Sequence, residues 1–105
     1  MNRTYFPTDS SFRVALGLAV NRIAQRNSQL LMTEHDNEVV SSIVSDIAKL
    51  NDIVVNFIGF GSIRESDVEW ITEAHRRNEL WHTDDQEQSW LGLWEFAKTF
   101  TGSNN

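Results

Sequence analysis

The sequence predicts an all-α protein, an up-down antiparallel bundle of four helices. Four segments repeat apolar residues every three or four positions, which is the spacing of one helix face. Residues that cap helices stand before these segments, and glycines follow two of them. The connections are short, so consecutive helices should pack antiparallel. We expect residues 1–105 to form a single helical domain with frayed ends at about 1–8 and 102–105.

The first predicted helix runs from about Ser10 to Leu31. Pro7 precedes it, and the side chain of Thr8 or Asp9 would accept hydrogen bonds from its first free amides. Its apolar stripe consists of Phe12, Leu16, Ala19, Val20, Ile23 and Leu30, with the polar Asn27 inside it. This stripe is the face that we expect to pack on the other helices.

The second predicted helix runs from about Asp36 to Ile58, and Gly59 and Gly61 end it. Its apolar face is wide and consists of Val39, Val40, Ile43, Val44, Ile47, Leu50, Val54, Phe57 and Ile58. Residues 52–60 are also rich in residues that favour strands, so the alternative is an α+β domain with a strand there. The helical spacing continues unbroken through this segment, which favours the helix. A lone strand would need a partner strand from another chain.

The third predicted helix runs from about Glu65 to Trp81. Ser62 with Glu65, and Ser66 with Glu69, both match the capping box, in which two side chains satisfy free amides at the helix start. The apolar face of this helix is thin.

The fourth predicted helix runs from about Asp84 to Thr101. Thr83 with Gln86 matches a further capping box, and Gly102 suits the end of the helix. Its apolar face is broad and is rich in tryptophan and phenylalanine.

Charge is unevenly distributed along the chain. The net charge is −6, yet residues 1–33 carry four arginines and a single aspartate. The acidic remainder should repel a phosphate backbone, so the charge disfavours direct nucleic-acid binding and favours a partner protein with a basic surface. The chain has no cysteine, which excludes disulfides and fits a cytoplasmic protein. No apolar run approaches the ~18 residues that a membrane span needs.

His75, Glu79 and His82 would share one face of the third helix, and Glu79 with His82 matches the Glu-x-x-His element of di-iron bundles. The two histidines are separated by about 10 Å of helical rise, so they could not bind the same ion. No nucleophile elbow or phosphate loop occurs. We therefore expect no metal, no cofactor and no enzymatic activity. A small enzyme or metal-binding bundle that uses these three residues is the alternative.

Two apolar features predict surface contacts. Trp70 is one of four tryptophans and lies beside the stripe of the third helix, so it could anchor a partner, although core packing is the commoner role. Val14, Leu18 and Met32 lie roughly opposite the main stripe of the first helix. A homodimer is the simplest way to cover them, and Asn27 could then fix the register.

Acidic side chains cluster in two connections that lie at the same end of an up-down bundle. They are Glu34, Asp36, Glu38, Asp84, Asp85 and Glu87. Acids also belong at helix starts, where the helix dipole favours them. We interpret the chain as a non-enzymatic protein-binding module, most specifically an acidic inhibitor or adaptor that docks on a basic, nucleic-acid-handling protein. Small helical proteins of phages, plasmids and toxin–immunity pairs act in this way. A structural subunit of a larger assembly is a further alternative.

Overall fold

Four helices packed against one another form the protein. The computed structural model describes residues 3–101 and 103–104, and the helices are α1 (Ser10–Thr33), α2 (Asn37–Phe60), α3 (Glu65–Arg77) and α4 (Asp84–Thr101). The predicted all-α bundle is therefore confirmed. The alternative strand at residues 52–60 is wrong, because α2 continues unbroken through Phe60.

Ion pairs show that α2 and α3 run antiparallel. Asp46 pairs with Arg77 at 3.1 Å, and Lys49, one turn later on α2, pairs with Asp67, near the start of α3, at 3.0 Å. Helices α3 and α4 also run antiparallel. Arg76, near the end of α3, pairs with Glu87, near the start of α4, and the start of α3 and the end of α4 line one cavity. Together with the tight α1–α2 connection, these contacts give the up-down order of the bundle.

The helix starts show which side chains satisfy the free amides. Asp9 is the N-cap of α1, and its carboxylate accepts hydrogen bonds from the amides of Ser11 and Phe12. Half of the capping box predicted for α4 is formed. Thr83 Oγ1 accepts a hydrogen bond from the amide of Gln86, but the Gln86 side chain accepts from the amide of His82 rather than from that of Thr83.

The start of α3 differs from the prediction. Its N-cap is Arg64, and the carboxylate of Asp67 accepts a 3.3 Å hydrogen bond from the Arg64 amide. Ser62 and Ser66 are therefore not the capping residues. The same carboxylate also binds the Arg64 guanidinium and the Lys49 ammonium group.

The end of α3 also differs, because the helix stops at Arg77 rather than at Trp81. Glu79 adopts the left-handed conformation, with φ of 56°. The amides of Glu79 and Leu80 then bond back to the carbonyls of Arg76 and His75, at 3.1 and 2.8 Å. This pairing is the Schellman motif, in which glycine normally supplies the left-handed residue. Nothing in the sequence marks the motif, since no glycine follows α3.

A small sheet joins the ends of the chain, which the sequence did not predict. β1 (Thr4–Tyr5) pairs antiparallel with β2 (Ile63–Arg64) and with β3 (Ser103–Asn104), in the order β2-β1-β3. Tyr5 is 6% exposed and packs edge-on against Trp94, 5.0 Å between ring centres. Residues 4 and 5 are therefore packed rather than frayed. The expected fraying at residues 1, 2, 102 and 105 lies outside the described residues.

The core lies between the four helices, and a cluster of aromatic rings forms one part of it. Phe12 packs on the rings of Trp90 and Trp94, with ring centres 5.4 and 5.3 Å apart. The indole nitrogen of Trp90 donates a 2.7 Å hydrogen bond to Thr72 Oγ1. Asn27 is buried inside the stripe, as the spacing of α1 indicated.

Candidate protein-binding groove

An apolar groove runs along the surface between α1 and α4. It consists of two adjoining cavities of about 300 and 430 Å³, which share Ala15, Leu18 and Leu93 as lining residues. Val14 and Leu18 form its outer wall on α1 and are 63% and 52% exposed. The groove spans the α1 residues from Ser10 to Arg22, a length of about 18 Å at the helical rise per residue.

The inner end of the groove is closed by an aromatic stack. The rings of His75 and Trp81 are stacked with their centres 4.3 Å apart, and both residues line the cavity. His75 is fully buried, and its Nε2 lies 3.1 Å from the carbonyl oxygen of Ala19. A carbonyl can only accept, so Nε2 carries the proton and Nδ1 is left as an acceptor.

Burial sets the charge state of this histidine. Desolvation lowers the pKa of His75, the hydrogen bond to Ala19 raises it, and the positive charge of Arg22 lowers it further, with a net decrease. His75 Nδ1 and Trp81 Nε1 are buried and have no hydrogen-bond partner among the described residues. The neutral imidazole therefore acts as a packed wall of the groove, held in orientation by α1.

Charged side chains flank this closed end. Arg22 on α1 and Asp85 on α4 line the same cavity, with Gln86 and Ser89 beside Asp85. Asp84, in the same first turn of α4, is exposed. The groove is thus apolar along its length and polar at one end, with negative charge on its α4 side.

The structure divides the predicted acidic residues into two groups. The first group lies near the groove, level with Arg22 of α1, and consists of Asp84, Asp85 and Glu87. Glu34, Asp36 and Glu38 lie at the tip of the α1–α2 hairpin, about 18 Å further along α1. Both connections are at the same end of the bundle, as predicted, but the hairpin extends beyond the other and separates the groups.

Several of these acids already serve local structure. The carboxylate of Asp36 caps α2 by accepting from the amides of Glu38 and Val39, and Glu34 accepts from two amides of the connection. Glu87 pairs with Arg76. Glu38, Asp84 and Asp85 are exposed and form no ion pair with another described residue. Of the six, these three are the carboxylates that remain available to a partner.

The remaining predicted surface residues are dispersed. Met32 is exposed, but it lies 14 residues beyond Leu18 on α1, about 21 Å away. The polar residues Asn21, Gln25 and Gln29 separate the two on that face. The structure therefore brings Val14 and Leu18 together and leaves Met32 apart. Trp70 is half-buried and packs against the core, on α3 rather than in the groove.

The histidine–carboxylate pattern of α3 does not form one helix face. Because α3 ends at Arg77, Glu79 and His82 lie in the connection to α4, while His75 points at α1. Glu79 and His82 instead line a separate cavity with Arg22 and Arg26 of α1. Within residues 3–101 and 103–104, no three histidine or carboxylate side chains are placed to hold a metal ion.

The spacing of apolar residues did not reveal that part of α2 is uncovered. Val44, Val55 and Ile58 are 51%, 65% and 79% exposed, and Phe60 at the helix end is also exposed. The sequence indicated a wide apolar face on this helix. It did not show which half of that face would be left open, because that depends on the position of α2 in the bundle.

The protein thus belongs to the class of four-helix bundles and carries an open apolar groove on its surface. Among the described residues, no helix combines the length and the apolar character needed to cross a membrane. No family model, curated protein or solved structure matches the chain.

Proposed function

We propose that this protein is a non-enzymatic protein-binding module of the cytoplasm, and that the groove between α1 and α4 receives a short amphipathic helix of a partner. The partner helix presents apolar side chains to Val14, Leu18 and Leu93, and basic side chains to the first turn of α4. The most specific form of this proposal is an acidic inhibitor or adaptor of a basic, nucleic-acid-handling protein.

The exposure of Val14 and Leu18 carries this proposal. Both are large apolar side chains more than half exposed on the wall of a groove, and a helix that docks in a groove would remove them from water. The groove is about 18 Å long, which matches three turns of a partner helix. Apolar contact of this kind supplies most of the affinity in helix-in-groove binding.

The charge around the groove supports a basic partner and a particular orientation of the partner's helix in the groove. Asp85 lines the closed end of the groove, Asp84 is its neighbour, and neither forms an ion pair with another described residue. Glu38 at the hairpin tip adds negative charge about 18 Å further along the bundle. The partner's basic residues would therefore lie at the end of its helix that reaches His75 and Trp81. Complementary charge of this kind speeds encounter and fixes orientation more than it adds affinity.

A catalytic role for His75 is disfavoured by its position. The imidazole donates to a backbone carbonyl of α1 and is covered by the ring of Trp81. Proton transfer to a substrate needs a ring nitrogen within hydrogen-bond reach of that substrate. Here the ring is a structural wall, which supports binding rather than chemistry.

Selection from a displayed library of random helical peptides tests the proposal without a known partner. We expect peptides with apolar residues three and four apart and with Lys or Arg towards one end. Binding of the purified peptides should be lost in Leu18→Glu and kept in Ser42→Glu, which adds the same charge on an exposed position of α2. Selection of acidic peptides, or binding that Leu18→Glu leaves intact, would contradict the proposal.

A further inference from the structure

A polar cavity of about 410 Å³, the arginine cavity, lies between α1 and the connection from α3 to α4. Half of its lining comes from one face of α1, where residues three and four apart are neighbours, and consists of Arg22, Gln25, Arg26 and Gln29. The connection supplies the rest, which is Asn78, Glu79, Leu80 and His82. The cavity shares Arg22 with the closed end of the groove and continues from there along α1.

Short hydrogen bonds hold the connection in place. The amide of Leu80 donates to the carbonyl of His75 at 2.8 Å. The side-chain amide of Asn78 donates to the carbonyl of Ala74, also at 2.8 Å. This wall of the cavity is therefore ordered before a ligand arrives, which lowers the entropy lost on binding.

The two arginines of the cavity form no ion pair with another described residue. Every basic side chain beyond residue 33 does form one, and these are Lys49, Arg64, Arg76, Arg77 and Lys98. Carboxylates are not in short supply, since the chain has 15 Asp and Glu against nine Lys and Arg. Arg22 and Arg26 therefore keep their N–H donors for solvent or for a ligand.

Other polar side chains of the cavity are also unpartnered. The side chains of Gln25, Gln29 and His82 make no hydrogen bond with another described residue. Together with the arginines, five such side chains line one cavity. N–H donors dominate among them, because a guanidinium group has five and an amide has two. The cavity consequently suits a ligand that accepts hydrogen bonds and carries negative charge.

We propose that the arginine cavity binds a carboxylate group, held between Arg22 and Arg26. Residues four apart on a helix have Cβ atoms about 5–6 Å from each other, so both guanidinium groups can donate to the same carboxylate. The planar fork of a guanidinium group matches the two oxygens of a carboxylate. A bound carboxylate also relieves the repulsion between two positive charges one turn apart.

Glu79 sets the charge that the cavity accepts. At pH 7 its carboxylate and the two guanidinium groups leave a single net positive charge in the lining. A ligand carboxylate, with one negative charge, balances that charge. A phosphate monoester carries between about 1.5 and 2 negative charges at pH 7, and Glu79 repels the excess. The lining therefore favours a carboxylate over a phosphate.

Titration of isotope-labelled protein with acetate at constant ionic strength, followed by NMR of the arginine Nε–H groups, tests the inference. We expect saturable shifts at Arg22 and Arg26, and none with acetamide, which has nearly the same shape but no charge. Arg26→Gln should weaken acetate binding about fivefold, the magnitude of an exposed charge contact. Arg13→Gln is the matched control and should bind acetate as the wild type does, because it removes the same charge from an exposed position of α1 outside the cavity. Shifts that do not saturate, or equal weakening in the two variants, would overturn the inference.

Glu79→Gln tests the preference for a carboxylate. The substitution keeps the size of the side chain and removes the negative charge, so inorganic phosphate should bind about threefold more tightly than it does to the wild type. The wild type itself should bind acetate more tightly than phosphate. The reverse preference in the wild type, or phosphate binding that Glu79→Gln leaves unchanged, would overturn the assignment to a carboxylate.

The carboxylate can belong to a free small molecule or to a partner protein, and a pair of peptides distinguishes these sources. A groove-binding peptide from the displayed library is extended past His75 and Trp81, with Glu at the new end in one form and Gln in the other. Tighter binding of the Glu form, with the gain lost in Arg26→Gln, assigns the carboxylate to the partner. Equal binding of the two forms, with acetate bound in the cavity, assigns it to a small molecule.

The arginine cavity and the proposed groove function are tested separately. Leu18→Glu should lose peptide binding and keep acetate binding, because Leu18 does not line the arginine cavity. Arg26→Gln should weaken acetate binding and keep the binding of the unextended peptide. If Leu18→Glu also abolishes acetate binding, acetate occupies the groove and the inference is wrong.

Discussion

His75 Nε2 lies 3.1 Å from the carbonyl oxygen of Ala19, and this hydrogen bond connects α3 to the middle of α1. The imidazole is fully buried, and the ring of Trp81 covers it on one side. In the neutral ring the one N–H, at Nε2, has the Ala19 carbonyl as its acceptor. A protonated ring would carry a second N–H, at Nδ1, with no acceptor among the described residues. Protonation of the buried Nδ1 therefore destabilises the folded protein, even though the Nε2 hydrogen bond to Ala19 is available in both charge states.

Stability should fall as the solution is acidified below about pH 6.5. Burial lowers the pKa of His75 in the folded protein, so the unfolded chain binds its proton at higher pH than the folded chain does. Between these two pKa values the unfolded state holds more protons, and the free energy of unfolding decreases as pH falls. Urea unfolding at pH 7.5 and pH 5.5 measures the decrease.

Two variants isolate the contribution of His75. His35→Gln, at an exposed position, should retain the loss of stability between the two pH values. His75→Gln should be less stable at pH 7.5 and should lose less stability on acidification than the wild type. If both variants lose as much as the wild type, other groups cause the pH dependence.

Glu79→Gly should stabilise the protein by about 1 kcal/mol, because a residue with a side chain is strained in the left-handed conformation and glycine is not. Glu79 has φ of 56° at the end of α3. Thermal or urea unfolding checks this expectation, with Glu79→Ala as the control, since alanine retains the strain. Equal stabilities of the glycine and alanine variants would argue against a left-handed residue at this position.

Asp67→Asn should cost about 2 kcal/mol of folding stability, the magnitude of a hydrogen bond to a charged group, because Lys49 and Arg64 are 33% and 39% exposed and regain water when the carboxylate is lost. Its carboxylate is buried and binds Lys49, the Arg64 guanidinium and the Arg64 amide. Lys49→Met should cost only about 1 kcal/mol, because Asp67 keeps its contacts with Arg64. Similar losses in the two variants would show that the carboxylate is not the centre of this network.

Neutralising the free carboxylates beside the groove should slow partner binding. We expect Asp84→Asn with Asp85→Asn to lower the association rate of a selected basic peptide and to flatten its dependence on salt, while helicity is kept. Adding Glu87→Gln should contribute little to the rate, because Glu87 is paired with Arg76. Stopped-flow fluorescence measures these rates. An unchanged rate and an unchanged salt slope would mean that Asp84 and Asp85 serve only as a helix start.

The helices could be predicted from the sequence because apolar spacing and capping residues are local signals. Asp9, Asp36 and Gly61 act at the helix ends as the sequence indicated. The early end of α3 was not predictable in this way, since Glu79 takes a conformation that local preference assigns to glycine. The strand of Thr4 and Tyr5 was missed because two residues give no spacing pattern and its partners are distant in sequence.

The groove could be predicted only in part. The position of Val14 and Leu18 opposite the main stripe of α1 correctly indicated exposure. Their partner across the groove, Leu93, and the closed end at His75 depend on how α4 lies against α1, which local spacing does not define. Met32 shares their face of α1, but the sequence did not show that α4 lies beside the first half of α1.

A titration of isotope-labelled protein with a selected basic amphipathic peptide, followed by NMR, tests groove binding most directly. We predict that the largest shifts occur at Leu18, at Leu93 and at the indole N–H of Trp81, and that Leu18→Glu removes them. Shifts concentrated on the outer face of α2 or around Trp70, with the Trp81 indole signal unmoved, would contradict binding in the groove.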